Sequence, residues 1–127
     1  MNTDRPEPEL PDPRNANIQV WVGDRLYRRE DAKISVFDSL AQGGDGVWEG
    51  LRVYDGRLFA LDAHLDRLVA SAHAMAFVDI PARDEIRSAI FQTLEANGMR
   101  DETHIRLTLS RGRKVTSSMD PRKNLYG

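Results

Sequence analysis

Between Trp48 and Ser110 the apolar residues switch from strand alternation to a helical repeat and back, which restricts the chain to a fold that mixes sheet and helix. Trp48 to Tyr54 reads as a strand, and Asp55-Gly56 is a hairpin signal leading into a return strand from Arg57 to Leu61. Leu65, Leu68, Val69, Ala72, Met75 and Ala76 then recur at helical spacing, predicting a helix capped by Asp62 and running to about Phe77. Pro81 closes the next turn. A second amphipathic helix is expected from about Asp84 to Asn97, with Ile86, Ala89, Ile90, Thr93 and Leu94 on one face and Gly98 at its C-terminal stop. From Thr103 to Ser110, Ile105, Leu107 and Leu109 alternate with His104, Arg106 and Thr108, so this strand has one apolar and one polar face. The fold class expected is α+β: a mostly antiparallel sheet with two amphipathic helices on one face.

Upstream, Ile18, Val20 and Val22 alternate with polar or aromatic neighbours, Gly23-Asp24 supplies a turn, and Leu26-Tyr27 begins a return strand. Ile34, Val36 and Phe37 predict a further short strand. The following Gln42-Gly43-Gly44-Asp45-Gly46 holds too much glycine for a helix or a regular strand and reads as a loop. Residues 1–16 carry four of the six prolines (Pro6, Pro8, Pro11, Pro13) among charges and few large apolar side chains, so a disordered tail is expected there. Residues 17–127 then form one domain. After Val115 the periodicity is lost, and the chain reaches Tyr126-Gly127 without a cap or closing strand, which predicts a break inside a longer protein.

Composition removes several function classes. The 127 residues contain no cysteine, which excludes a disulfide scaffold, a thiolate zinc site, an iron–sulfur cluster and a cysteine nucleophile, and fits a cytoplasmic setting. Eighteen basic against 20 acidic residues, a net charge of −2, argue against nucleic acid as a partner. The apolar runs are too short to span a membrane, and Asp4, Glu7 and Glu9 occupy the place of a signal peptide's basic start. His64, His73 and His104 have no metal-ligand spacing, so no metal is expected. The glycine-rich loop lacks the Lys and Ser/Thr of a nucleoside-triphosphate site. The run Arg111, Arg113, Lys114 reads as a solvated turn.

Three features are candidates for chemistry. Trp48, Gly50 and Arg52 share a strand face, with Gly50 leaving a gap between an aromatic and a cation; this is the floor of a small-ligand site or a core tryptophan beside a surface arginine. The face of His104, Arg106 and Thr108 is either the wet side of a sheet or a carboxylate site built on the arginine. Arg67, on the first helix, is either a reaching cation or a solvated partner of Asp66 or Asp62.

Taken in order, Val36-Phe37-Asp38, the run from Gly44-Asp45-Gly46 through Trp48-Glu49-Gly50-Leu51-Arg52 to Tyr54, His64-Leu65-Asp66-Arg67-Leu68 with Ser71-Ala72, and His104-Ile105-Arg106 with Ser110-Arg111-Gly112 resemble the class IV, fold-type IV pyridoxal-phosphate enzymes. The resemblance spans about residues 18–127, that family's N-terminal small domain and the start of its linker. Glu49-Gly50-Leu51-Arg52 is similar to the branched-chain aminotransferases. The resemblance implies that Arg67 binds the phosphate of pyridoxal 5'-phosphate, that Trp48 and Gly50 line the pocket for the substrate side chain, and that Arg106, with Arg52 nearby, receives the distal carboxylate of glutamate. His104 stands where branched-chain enzymes usually have a tyrosine, and Gly43 where some members place a tyrosine reaching into the neighbouring subunit. The implied reaction transfers an amino group between a branched-chain L-amino acid and 2-oxoglutarate in a homodimer. A D-amino-acid aminotransferase or an aminodeoxychorismate lyase of the same family is an alternative, as is a non-catalytic α+β binding or oligomerisation module.

Transamination also needs a lysine to hold the cofactor as a Schiff base and move protons. The chain has only Lys33, Lys114 and Lys123, none in the family's lysine context. The resemblance therefore places the catalytic lysine in a C-terminal domain and implies that these residues alone contain no catalytic group and are inactive.

Overall fold

The computed structural model describes residues 6, 8–117 and 120–124. Strands β1 (Gln19–Val22) and β2 (Arg25–Arg28) form an antiparallel hairpin of their own. A second sheet has the order β4-β3-β5, with β3 (Gly46–Tyr54) central and antiparallel to both β4 (Arg57–Leu58) and β5 (Thr103–Ser110). Register runs from Gly46 opposite Ser110 to Val53 opposite Thr103, pairing eight residues of β3 with the whole of β5. The architecture is the expected α+β, with all strand pairs among the described residues antiparallel.

The β3–β4 turn has Asp55 and Gly56 both in the left-handed region, at φ 50° and 75°, as a two-residue hairpin turn that follows strand twist requires. The return strand is shorter than Arg57–Leu61, because Ala60 turns left-handed (φ 52°) and redirects the backbone into helix α2 (Leu61–Ala74). Asp62 is therefore inside the first turn and is not the cap; there it faces the positive end of the helix dipole and accepts from Arg87 at 2.5 Å. The helix ends at Ala74 and not at Phe77, since Ala76 adopts φ 58° and breaks the repeat. Helix α3 (Arg83–Asn97) ends as expected, at Gly98 in the left-handed conformation.

The inward row of β3 contributes Val47, Leu51 and Val53 to the interior. Leu65, Leu68 and Ala72 of α2, Ile86 and Ile90 of α3, and Phe77 complete the buried apolar set. Leu51, Leu65 and Leu68 are wholly shielded from solvent; each such side chain contributes about 1.5–3 kcal/mol by leaving water. The outward row of β3 is left open, with Trp48 and Tyr54 each about half exposed.

Three expectations fail. Ile34, Val36 and Phe37 form no strand: they are exposed, and the Ser35 side chain accepts from the Phe37 amide while the Ser35 carbonyl accepts from Asp38 N–H. Local hydroxyl and carbonyl acceptors take up the Phe37 and Asp38 amides, and the backbone tie to a neighbouring segment is an isolated bridge at Asp38–Arg113 that does not extend into a strand. Asp38 then caps the short helix α1 (Ser39–Gly43), so the first part of the glycine-rich segment is helical before Gly44, at φ 66°, ends it. The tail is ordered from Pro13, where residues Pro13–Asn17 make a 3-10 turn. Pro13 restricts the backbone, and Arg14 donates to the carbonyls of Asp101 and Glu102 at 3.1 and 2.8 Å, which offsets the ordering entropy. Residues 1–5 and 7 of the expected tail, and the terminal Tyr126-Gly127, lie outside the described residues. Among those described, no helix is long and apolar enough to cross a membrane.

Candidate functional site

Side-chain alternation and the β3–β5 register bring most of the expected site residues onto the open sheet face. Trp48 lies opposite Thr108, Gly50 opposite Arg106, and Arg52 opposite His104. Their spacing by two along each strand aims all six positions the same way. A Cβ at Gly50 would stand 2.9 Å from His104 Nε2 and 3.8 Å from Trp48 Cζ3, so the imidazole lies in the space that the missing side chain leaves. The Arg106 guanidinium stacks on Trp48, its Cζ 4.2 Å from a ring centroid, an interaction worth roughly 0.5–1 kcal/mol at an exposed site.

Arg52, His104 and Arg106 have no hydrogen bond or ion pair with any acid among the described residues, and the outward positions of β3 and β5 include no carboxylate. Several arginines elsewhere are matched by acids: Arg83 pairs with Asp66, Arg87 with Asp62, Arg111 with Asp45 and Arg122 with Asp120. The open face is thus a cationic, aromatic wall whose donors await an acceptor. Its chemistry suits a carboxylate, held by a guanidinium edge while apolar substituents lie on Trp48.

Arg67 is placed differently. Neither Asp62 nor Asp66 is its partner. The guanidinium reaches Glu49, whose carboxylate accepts from Nε at 2.9 and 3.0 Å and from Nη2 at 2.6 Å. His64 Nδ1 lies 2.7 Å from the same carboxylate, and because the carboxylate is ionised the imidazole is the donor. Glu49 belongs to the inward row of β3 and is 5% exposed. Hydrogen bonds from Arg67 hold its carboxyl below the usual carboxylate range; burial opposes this, and the His64 bond adds to it. The structure therefore does not bring Arg67 into contact with Trp48 or Arg106: it stands on the helix-covered side of β3. Sequence reasoning misses Glu49 as a site residue. Its signal is a charged residue in the inward phase of an alternating strand, between Val47 and Leu51.

The run Arg111, Arg113, Lys114 is not a solvated turn. Arg111 Nε donates to Asp45 at 2.6 Å and Nη2 to the Met75 carbonyl at 2.6 Å, and the guanidinium stacks 4.7 Å above Phe77. Lys114 is buried, its amide donating to the Phe37 carbonyl at 2.8 Å. Packing of the β5 exit against α1 and the end of α2 consumes this cluster, and only Arg113 remains exposed. A groove of about 1200 Å³ adjoins β5, lined in part by Trp21, Tyr27, Ile34, Leu107 and Leu109; of the outward row of β5, Thr108 and Ser110 reach it, while His104 and Arg106 do not line it. Among the described residues no group of three His, Asp or Glu could hold a metal ion.

The sequence profile of the class IV amino-transferases matches residues 46–126, so this chain belongs to that family. Branched-chain-amino-acid aminotransferase-like protein 1 of Arabidopsis thaliana is 58% identical over 127 residues, covering all of this chain and 23% of its own length. A putative branched-chain-amino-acid aminotransferase of Methanocaldococcus jannaschii is 40% identical over 107 residues (84% of this chain, 36% of that protein), and a D-alanine aminotransferase of Listeria innocua 39% over 95 (75% and 32%). Among solved structures, the Escherichia coli branched-chain amino acid aminotransferase superimposes with a TM-score of 0.73 at 27% identity, over 83% of this chain and 35% of that one. The T.th. branched-chain amino acid aminotransferase complexed with N-(5'-phosphopyridoxyl)-L-glutamate gives 0.75 at 25% identity, over 87% and 38%. The chain thus spans a quarter to two-fifths of the proteins it matches, and its fold is that of the N-terminal domain of fold-type IV aminotransferases.

Proposed function

We propose that this chain is the small domain of a pyridoxal-phosphate-dependent aminotransferase that exchanges an amino group between a branched-chain L-amino acid and 2-oxoglutarate. The observation that carries the reading is the acid-free face of Arg52, His104 and Arg106 beside Trp48. An amino acid and a 2-oxo acid both bring a carboxylate to such a face, and 2-oxoglutarate brings a second for Arg106, with Arg52 as the supporting cation. Trp48 offers a broad apolar wall to a branched side chain, and Gly50 leaves room for the His104 imidazole to lie low on the strand beside it.

The residues present fit part of the cofactor. Arg67 spends its inner edge on Glu49 and keeps the outer edge for a phosphate group, the task of a guanidinium fork. When bound, pyridoxal phosphate supplies the carbonyl that takes up the amino group and the electron-poor ring that stabilises charge at the substrate's α-carbon. This chain's residues bind and orient: Arg67 the phosphate, Arg106 and His104 the carboxylates, Trp48 the side chain. None of Lys33, Lys114 and Lys123 lies on the outward row of β3 or β5; in this reading a C-terminal catalytic domain supplies the covalent anchor and the proton shuttle. In this reading the isolated chain is inactive and the working enzyme is a cytoplasmic homodimer.

The test is steady-state kinetics of the full-length protein with Arg106→Gln. The expected result is a raised KM for 2-oxoglutarate with little change for a branched-chain 2-oxo acid that lacks a distal carboxylate. Equal losses for both acids overturn the assignment of Arg106. The D-alanine aminotransferase relatives favour a second reading, a D-amino-acid donor; activity with D-alanine and none with L-leucine would establish it.

A further inference from the structure

A buried carboxylate in an apolar row needs a reason. Glu49 is the one acidic residue of β3, and its neighbours in the inward phase are Val47, Leu51 and Val53. An apolar side chain there would contribute burial without a desolvation cost, and such exchanges are often neutral or stabilising. The arrangement around Glu49 supplies the reason in its geometry. Arg67 is tied to it by three contacts of 2.6–3.0 Å, yet the Arg67 side chain remains 67% exposed. An arginine that exposed ordinarily samples many rotamers. Here Nε and one N–H of Nη2 are occupied, and because the guanidinium is a rigid plane, the direction of its outer edge, Nη1 with the second N–H of Nη2, is set. His64, three residues earlier on α2, steadies the carboxylate from the side by its Nδ1 contact.

We infer that Glu49 and His64 are positioning residues, which hold the Arg67 guanidinium by its inner edge so that its outer edge is presented to the cofactor's phosphate group. The inference rests on the proposed role of Arg67. Glu49 subtracts charge from its partner and so adds no attraction for an anion. Its contribution is order, established before the phosphate arrives, which removes the cost of immobilising a long side chain on binding.

The experiment compares two probes on the full-length apo protein: pyridoxal phosphate, and pyridoxal, which lacks the phosphate. Binding is followed by cofactor absorbance, with the melting temperature of each apo variant recorded beside it. Arg67→Ala weakens pyridoxal phosphate and leaves pyridoxal unchanged. Glu49→Gln and Glu49→Ala weaken pyridoxal phosphate by about three- to tenfold, the cost of ordering one long side chain, again with pyridoxal unchanged. His64→Gln gives a smaller loss in the same direction. Loss confined to Arg67→Ala overturns the positioning role while leaving the phosphate reading intact, and absence of any phosphate-specific loss in Arg67→Ala overturns both. Equal weakening of the two probes by the Glu49 variants, tracking their melting temperatures, assigns Glu49 to the fold alone and also overturns the inference. Should Glu49→Ala not fold, Glu49→Gln and His64→Gln decide, together with the Arg67 Nε–H proton in an NMR spectrum: slowly exchanging in the parent and lost in Glu49→Gln if the tether orders Arg67.

Discussion

The two faces of β3 handle charge in opposite ways. On the covered face a single carboxylate, Glu49, is matched by Arg67 and His64 within 3.0 Å, and the remaining inward positions are apolar. On the open face Arg52, with His104 and Arg106 across the register, has no acid to answer it among the described residues. A satisfied buried carboxylate answers a demand of the fold or of a neighbouring group, whereas an unanswered row of donors beside an aromatic ring is open to an external anion. The comparison is sharpest where substitutions on one face leave the other untouched.

The largest expected effect is on the covered face. Leu51 is fully buried between the sheet and the helices, so Leu51→Ala should cost about 2–5 kcal/mol of folding stability through lost transfer energy and the cavity left behind. Denaturant titration measures it. A loss below about 1 kcal/mol would mean that this row is not the centre of the core. Arg111→Ala comes next. It strips Asp45 and the Met75 carbonyl of their donor, and a cost of about 1–3 kcal/mol is expected. The Arg111 cluster then sides with the covered face, as a tie between α1, β5 and the end of α2. A surface arginine in the solvated turn expected from sequence would leave the midpoint unmoved.

Acid tests Glu49 directly. Its carboxyl is held below its ordinary value of 4.5, first by the Arg67 hydrogen bonds. A carboxylate with a depressed folded-state value contributes stability that is present above the unfolded value and lost as pH falls through the folded one. The melting temperature should therefore fall on acidification below about pH 4.5, and Glu49→Gln should flatten that slope while leaving the neutral-pH change smaller than that of Leu51→Ala. An unaltered slope in Glu49→Gln would show that other carboxylates dominate acid unfolding.

Legibility in the sequence followed the range of the interaction. Strand alternation is local, so the shared face of Trp48, Gly50 and Arg52, and that of His104, Arg106 and Thr108, could be read directly; the β3–β5 register then placed the two against each other. The helical stripe of Leu65, Leu68 and Ala72 was legible for the same reason. The partner of Arg67 was not, because Glu49 lies 18 residues away and is selected by how α2 packs on β3, while Asp62 and Asp66, the near candidates, are drawn to Arg87 and Arg83 of α3. Arg111 looked solvated for want of any local sign that Asp45 and Met75, 66 and 36 residues earlier, would close around it. Ile34, Val36 and Phe37 have strand-forming side chains, but Ser35 takes up the Phe37 and Asp38 amides locally.

The smallest stability effect is expected on the open face, and it is the most informative for function. Gly50→Ala places a methyl group 2.9 Å from His104 Nε2, too close for the imidazole to stay where it is. The ring is at the exposed side of the sheet and can swing outward, and alanine suits a strand no worse than glycine does, so the midpoint should shift by less than about 1 kcal/mol. Displacing the imidazole nevertheless raises the floor beside Trp48 and moves a donor away from the Arg106 edge. On the proposed reading, the full-length protein should show a raised KM for both amino and oxo acids, larger for branched side chains than for small ones, with cofactor affinity retained because Arg67, the proposed phosphate ligand, stands on the other side of β3. A Gly50→Ala variant that lost cofactor and substrate together would break the division between the two faces, since a methyl group on the open row would then be felt at the proposed phosphate ligand, Arg67, on the covered one.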